Sequence, residues 1–545
     1  MAVSEAIESV EMGIRAKYPA MYLETHEEGR MMAELASLAD GLKQKLFIWS
    51  IASGLRARVV DPSTGSQYTS VDEGMDDPVA ILRHIETEAP KGSIFVLADF
   101  HEFLQGDLVV RRMFREVADS LRTNHKSMIV MSPVLHIPET LEKTITVVEV
   151  ARPTREQLSE RLDGMCAKLA KRKASMVDVD ADSRDAIVSA GLGLTRREFD
   201  QCLGRALVKN GKISADAIPM IAEEKAQIVK KSGLMEFLPA SVTFDHVGGN
   251  DLLKPYITRR KRAFSEDARA FGLDVPKGML YVGPPGIGKS LIAKATASAL
   301  GVPLIRLDMG ALFGGLVGES EANARKAIQT AEACAPCVLW LDEIEKGMAG
   351  LGSSGNSDGG TTARVFSTFL TWMNEKQSPV YVFATANDVS QLPPELLRKG
   401  RFDEIFAADF PVESEREQIL SIHVSKRNRD PKAFDLASLA KATDGFSGAE
   451  LEALVTDALY TAYDAKAGNP DRDLTDADLS EAAASTVPLS RTMSERIQWL
   501  RDWAKTRARP ASSFHFKGVS AAVKKSASGD AHVEAIADDM DLFED

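Results

Sequence analysis

Residues Gly283 to Ser290 read GPPGIGKS, with an apolar run, Met279 to Val282, before them and the helix-forming stretch LIAKATASAL behind. This order confines the segment to a buried strand, a glycine-rich turn and the start of a helix. A turn of this kind aims successive backbone N–H groups inward, and the helix N-terminus adds its partial positive charge, so the segment suits the phosphates of a nucleoside triphosphate. The cradle comprises Gly283, Pro284, Pro285, Gly286, Ile287, Gly288, Lys289, Ser290 and Leu291. Lys289 is the side chain to reach the β- and γ-phosphates, and Ser290 the hydroxyl to ligand Mg²⁺.

A second element lies downstream. Cys337 to Leu341 (CVLWL) has the continuous apolar pattern of a strand buried on both faces of a parallel sheet, and it ends in Asp342 and Glu343. Two acids there are costly unless they hold a cation or water. Asp342 fits the Mg²⁺ shell, and Glu343 fits a base that orients water on the γ-phosphate.

At 545 residues the chain should hold two to four folding units. Its net charge of −13 argues against a general nucleic-acid binder, since phosphate binding needs basic surface. The one basic cluster, Arg259 to Arg262, reads as a solvated helix face, and the acidic end, Ala537 to Asp545, as a disordered tail. Four cysteines suggest a reducing compartment; Cys334 and Cys337 form a CxxC with no second ligand pair to make a metal site. No apolar run is long enough to span a bilayer and no signal peptide is evident, so the expected compartment is the cytoplasm, or the stroma of a plastid.

Apolar strand candidates at 279–282, 303–307, 337–341, 379–384 and 404–408 alternate with helix-like stretches, which predicts an α/β domain with a mostly parallel sheet. Residues 412–488 lack such runs and predict a helical lid, with helix starts at Ser414 and Ser447.

Several motifs now appear in a fixed order: VTFDHVGGNDLLK from Val242, the phosphate loop, VGESEANAR from Val317, the LDE run, ATAND from Ala384, ELLRKGRFD from Glu395 and TDGFSGAELEALV from Thr443. Over roughly 238–490 the chain resembles the AAA family of hexameric ATPases. The resemblance implies that ATP and Mg²⁺ are bound, that Asn387 is the first sensor, and that Arg398 and Arg401 are arginine fingers acting on the ATP of a neighbouring subunit. It also implies an adenine and ribose pocket from His246, Val247, Gly248, His423, Gly448 and Ala449. His246 stands where the family usually has an acid, but that contact is mainly backbone. Protein-threading members grip a polypeptide with a basic residue and an aromatic before VGESE; here Gly315 and Leu316 fill those positions, with Phe313 just upstream. A protein substrate would then meet Phe313 and Leu316, the leucine pressing on an extended chain with less area than an aromatic and no rigid ring. The glycine- and serine-rich stretch Gly347 to Thr362 reads as a mobile pore loop or a plain linker.

The N-terminal half has apolar runs at 20–24, 46–51, 94–98, 127–131 and 145–149, then a helical stretch at 155–230. FVLAD, Phe95 to Asp99, matches the pattern of a buried strand with a terminal acid. After the first strand, however, the chain reads THEEGRMM, Thr25 to Met32, and Glu27 and Glu28 would repel a phosphate. The expectation is a degenerate ATPase-like domain.

That domain, LFGGLVGESE, DEIEKG from Asp342 and the stretch VPLSRTMSERIQWLRDWAKTRAR resemble a subgroup first noted as a conserved open reading frame of algal chloroplast genomes, with relatives in cyanobacteria and other bacteria. The predicted organisation is a degenerate α/β domain at 1–152, a helical lid-like segment and linker at 153–237, a P-loop AAA+ large domain at 238–412, its helical lid at 413–490, and a C-terminal helix with a flexible acidic tail at 491–545. Thr492 and Glu495 suit a capping box, after which Met493, Ile497, Leu500 and Ala504 share one helix face. Residues after Pro510 read as flexible, with FHFKGVS from Phe514 as a docking peptide. The predicted activity is Mg²⁺-dependent ATP hydrolysis by a homo-oligomeric ring, a hexamer, that remodels a protein partner. The rival is an ATP-gated assembly or recruitment module, for a regulator or a nucleic acid, with slow hydrolysis as a timer. No membrane partner is expected.

Overall fold

The computed structural model describes residues 5–61, 65–72, 75–238, 242–264, 266–313, 319–348, 359–398, 400–467 and 469–516. The chain divides into two compact units, Met1–Ile221 and Ala222–Asp545.

In the first unit the apolar runs form β1 (Ala20–Glu24), β2 (Lys45–Ser50), β5 (Ser93–Ala98), β6 (Lys126–Ser132) and β7 (Ile145–Glu149), all parallel. An antiparallel hairpin, β3 (Gly54–Asp61) and β4 (Gly65–Asp72), extends one edge, giving the order β4-β3-β2-β5-β6-β1-β7. Successive side chains enter opposite cores: Met21, Leu23, Ile48, Val96 and Ile129 on one face, Tyr22, Trp49, Phe95, Leu97 and Val130 on the other. Burial on both faces is why these strands are continuous apolar runs. The hairpin is not expected from the sequence; Leu55 is buried but Val59 is exposed, so its pattern is that of a half-solvated edge. Helix α1 (Glu28–Leu42) follows β1, and α2 (Arg155–Arg172) and α3 (Arg196–Asn210) belong to the helical region, each opened by a capping box, from Thr154 with Gln157 and from Thr195 with Glu198.

The second unit carries β8 (Met235–Leu238), β9 (Gly278–Val282), β10 (Leu304–Leu307), β11 (Cys337–Leu341), β12 (Val380–Ala386), β13 (Glu404–Ala407) and β14 (Arg509–Pro510), in the order β14-β13-β9-β12-β11-β10-β8. All pairs are parallel except β10 with β8. Met279, Tyr281, Trp340 and Phe383 fill one face and Leu280, Val282, Leu339 and Val382 the other. Helix α4 (Lys289–Leu300) follows β9 directly; α5 (Glu413–Lys426) and α6 (Gly448–Ala465) belong to the all-helical lid, and α7 (Ser494–Arg507) packs Leu500, Trp503 and Ala504 into the sheet core.

Several expectations need correction. The stretch assigned to helix and linker, 153–237, includes most of β8, which closes the second sheet. The helix expected from Ser414 starts at Glu413, with Val412 as N-cap. Thr492 ends a short helix, and its hydroxyl donates to Leu489 O at 3.0 Å; Met493 is the N-cap of α7 and makes no side-chain capping bond. Residues 511–516 run along the fold: Ala511 and Ser512 are fully buried and His515 and Phe516 nearly so, while Ser513 and Phe514 are exposed. Residues 314–318, 349–358 and 517–545 lie outside the described residues, and with them the expectations on Gly315, Leu316, most of the Gly347 to Thr362 loop and the acidic tail; the Phe313 side chain is likewise not described. Among the described residues, no helix is long and apolar enough to cross a membrane.

Candidate active site

The turn between β9 and α4 is shaped by its glycines and by the lid. Gly286 has φ +81°, and a Cβ there would lie 2.7 Å from Ser447 Oγ, so only glycine fits. Helix α4 starts at Lys289 with Gly288 as N-cap and without a side-chain capping bond, which leaves its first-turn N–H groups for an anion. Lys289 is 8 % exposed and donates to Gly283 O at 2.8 Å and Pro284 O at 2.7 Å. Burial depresses its ammonium to about 8, against the opposing pull of Glu345, Glu343 and Asp342.

The carboxylates project from the end of β11, next to β12. Thr385 joins them: its hydroxyl donates to Asp342 Oδ1 at 2.8 Å and accepts from the Glu343 N–H at 3.0 Å. Glu343 has φ +48°, an unusual conformation for a glutamate that turns the chain sharply after the strand. Its Oε1 accepts from Asn387 Nδ2 at 2.9 Å, and its other oxygen pairs with Lys346. The bond from Lys346 outweighs burial and, with that from Asn387, holds the Glu343 carboxyl below the usual glutamate range.

A cavity of about 450 Å³ collects these groups. Lys289, Ser290, Asp342, Glu343 and Asn387 line one part; Pro285, Gly286, Ile287, Gly288 and Leu291 form the loop wall. His246, Val247, Gly248, His423, Gly448 and Ala449 line the remainder, and the Ala449 N–H donates to Gly286 O at 2.9 Å, joining the lid to the loop. Gly283 and Pro284 stand behind the loop as acceptors for Lys289. Arg398 and Arg401 are not among the lining residues: Arg398 is exposed, and Arg401 donates to Leu370 O at 2.7 Å. The site fits a nucleoside triphosphate: free N–H groups and an ammonium at the loop, an apolar recess toward the lid. Ser290 and Asp342 line the same cavity with a hydroxyl and a carboxylate, oxygen donors of the kind that would hold Mg²⁺ beside phosphate oxygens and water.

Sequence reasoning missed two groups. Ile419, Ile422 and Lys426 from α5, with Glu452 from α6, line the lid side of the cavity. The spacing 419, 422, 423, 426 on one helix face was the available signal. Glu345, 5 % exposed, accepts from both the backbone N–H and Nδ2 of Asn387 at 2.9 Å, and so fixes the amide between two acids. Cys334 and Cys337 are buried and form no disulfide, and burial raises Cys337 well above the usual thiol range.

In the first unit the turn after β1 carries Glu27, 8 % exposed. Its Oε1 accepts from the Arg196 N–H at the start of α3 at 2.6 Å, and its Oε2 from Arg30 at 2.8 Å. Arg30 is further held by Glu34 at 2.9 Å and Gln157 at 3.4 Å. β5 ends in Ala98 where β11 is followed by Asp342, and Asp99 (φ +53°) follows as Glu343 does. The turn after β1 thus carries a buried carboxylate bonded within its own domain, and Ala98 stands where β11 is followed by Asp342.

Comparison with known proteins agrees with this geometry. Residues 279–410 match the ATPase family associated with various cellular activities (AAA), and 433–481 match the AAA+ lid domain. Residues 6–150 match the N-terminal domain, and 156–232 the second domain, of SpoVK-like AAA ATPases. The uncharacterized AAA domain-containing protein ycf46 of Pyropia yezoensis is 37 % identical over 503 residues, 92 % of this chain and 98 % of the relative. The protein of the same name from Guillardia theta is 35 % identical, over 90 % of this chain and 93 % of its own length. Two AAA-type α/β folds in one chain, one with a complete phosphate loop and acid pair, and full-length likeness to these proteins make the chain an AAA+ ATPase belonging to the ycf46 family.

Proposed function

We propose that the chain assembles through its second domain into a ring, a hexamer, and hydrolyses ATP there to remodel a protein partner. Lys289 and the loop N–H groups hold the β- and γ-phosphates, and Ser290 and Asp342 hold Mg²⁺. Mg²⁺, when bound, would supply neutralising charge to the phosphates. Glu343 takes a proton from the attacking water, and Asn387, fixed by Glu345, orients that water. Arg398 and Arg401 of the next subunit stabilise charge on the transferring phosphoryl group, an effect worth about 10³-fold or more in rate. His246 to Gly248, His423, Gly448 and Ala449 enclose base and ribose. The reaction runs in the cytoplasm, or in the stroma where the protein is plastid-encoded.

The observation that carries this reading is the split of the machinery: phosphate loop, acids and sensor share one cavity, while Arg398 is exposed and outside it. The test is the solution mass of Glu343→Gln with and without ATP and Mg²⁺, alongside turnover. A sixfold mass with ATP and turnover down about 10³-fold is expected; a monomer that binds ATP, or full turnover in the variant, contradicts it. The rival, an ATP-gated recruitment module with slow hydrolysis, draws support from the Glu27–Arg30 closure of the first domain. Stimulation of turnover by an unfolded protein favours remodelling, and stimulation by DNA or RNA favours the module.

A further inference from the structure

The segment after α7 does not leave the fold. It adds β14 to the sheet beside β13, and the Ala511 N–H continues the pairing to Ala407 O at 2.8 Å. Ala511 O accepts the N–H groups of Leu252 and Leu253 at 3.1 and 3.2 Å, and Ser513 donates to Asp251 from its backbone at 2.8 Å and its hydroxyl at 2.6 Å. Ser512 Oγ donates to Glu415 Oε1 at 2.6 Å, and His515 Nε2 lies 3.1 Å from Glu415 Oε2. The Asp409 N–H donates to His515 Nδ1 at 3.3 Å, so the ring's proton is on Nε2 and is given to Glu415. Ser512, His515 and Glu415 are 0, 8 and 3 % exposed.

This buried cluster stands directly behind the loop that walls the base side of the cavity. Gly249 has φ +67°, and a Cβ there would sit 2.5 Å from Glu415 Oε1; its N–H donates to Gln418 at 3.1 Å. One residue earlier, Gly248 lies against Ile419, which also lines the cavity. The position of Glu415 therefore sets the position of both Gly248 and α5.

We propose that Ser512 and His515 are positioning residues for nucleotide binding: through Glu415 they hold the Val247–Asp251 loop and α5 at the separation that accepts the base. Burial alone raises the Glu415 carboxyl, and the bonds from His515 and Ser512 more than offset it, keeping the group ionised. A strap that only stabilised the fold would not act selectively on ground-state binding. The inference rests on the nucleotide lying in this cavity.

The test compares ATP KM and kcat for the full chain, His515→Ala, His515→Gln, Lys289→Ala and a chain ending at Phe516. His515→Ala should raise KM about tenfold with kcat kept within about twofold, the loss of one charge-assisted bond. His515→Gln, whose amide can still donate to Glu415, should recover most of that, and the chain ending at Phe516 should match wild type. An unchanged KM in His515→Ala while Lys289→Ala loses ATP overturns the strap's role alone. A fall in kcat as large as the rise in KM, unrescued by glutamine, or the same KM rise in the chain ending at Phe516, also overturns it. If Lys289→Ala keeps wild-type ATP binding, the site reading falls and this inference with it.

Discussion

The two α/β domains share one plan and differ at one turn. The parallel strands follow the same order, β7-β1-β6-β5-β2 in the first and β13-β9-β12-β11-β10 in the second. Both lids open their helices alike, with capping boxes at Thr195 with Glu198 and at Ser447 with Glu450. Yet where Ala449 N–H meets Gly286 O across a phosphate loop, the first domain has the Arg196 N–H on the Glu27 carboxylate. Apolar strands specify the fold; a few residues at the strand ends specify the ligand. In the first domain a carboxylate of the chain itself thus joins the turn after β1 to the start of α3.

That contrast can be broken from either side. The largest effect is expected in the first domain. Glu27 and Arg30 are each 7 % exposed in their side chains, and Glu27→Ala leaves Arg30 with Glu34 as its remaining carboxylate and the Arg196 N–H without its acceptor, so it should destabilise the first domain by about 2 kcal/mol. Differential unfolding by denaturant reads this, and ATP binding should be unchanged; an equal loss of ATP affinity would tie the closure to the second site. A smaller effect is expected from pH at the live site. Lys289 titrates at about 8, and bound phosphates favour its charged form, so above that pH binding must take up a proton. ATP affinity should be flat below about pH 8 and fall by up to about tenfold per unit above it. Lys289→Arg, always charged, should remove the dependence; a slope that survives in that variant assigns it to another group.

Much of this was legible. Every two-face-buried strand stood out as an apolar run, and the phosphate loop, Asp342, Glu343 and Asn387 share the cavity that the motifs led one to expect. The β3–β4 hairpin was hidden because a half-exposed edge alternates instead of running apolar, and β14 because two residues carry no periodicity. The strap was misread as flexible because its polar residues, Ser512 and His515, are satisfied by partners about a hundred positions away. Glu345 was invisible for the same reason: its value lies in Asn387, just past the end of β12, the next strand of the sheet. The equivalence of the lid boxes was in the text, as TRRE at Thr195 and SGAE at Ser447, but without glycine the first does not look like its counterpart.

The central claim is one working nucleotide site per chain, in the second domain. Its most direct test is the number of ATP molecules bound per chain by Glu343→Gln at saturation, repeated after adding Lys289→Ala. The account predicts one, then none; two per chain, or one that survives Lys289→Ala, would contradict it.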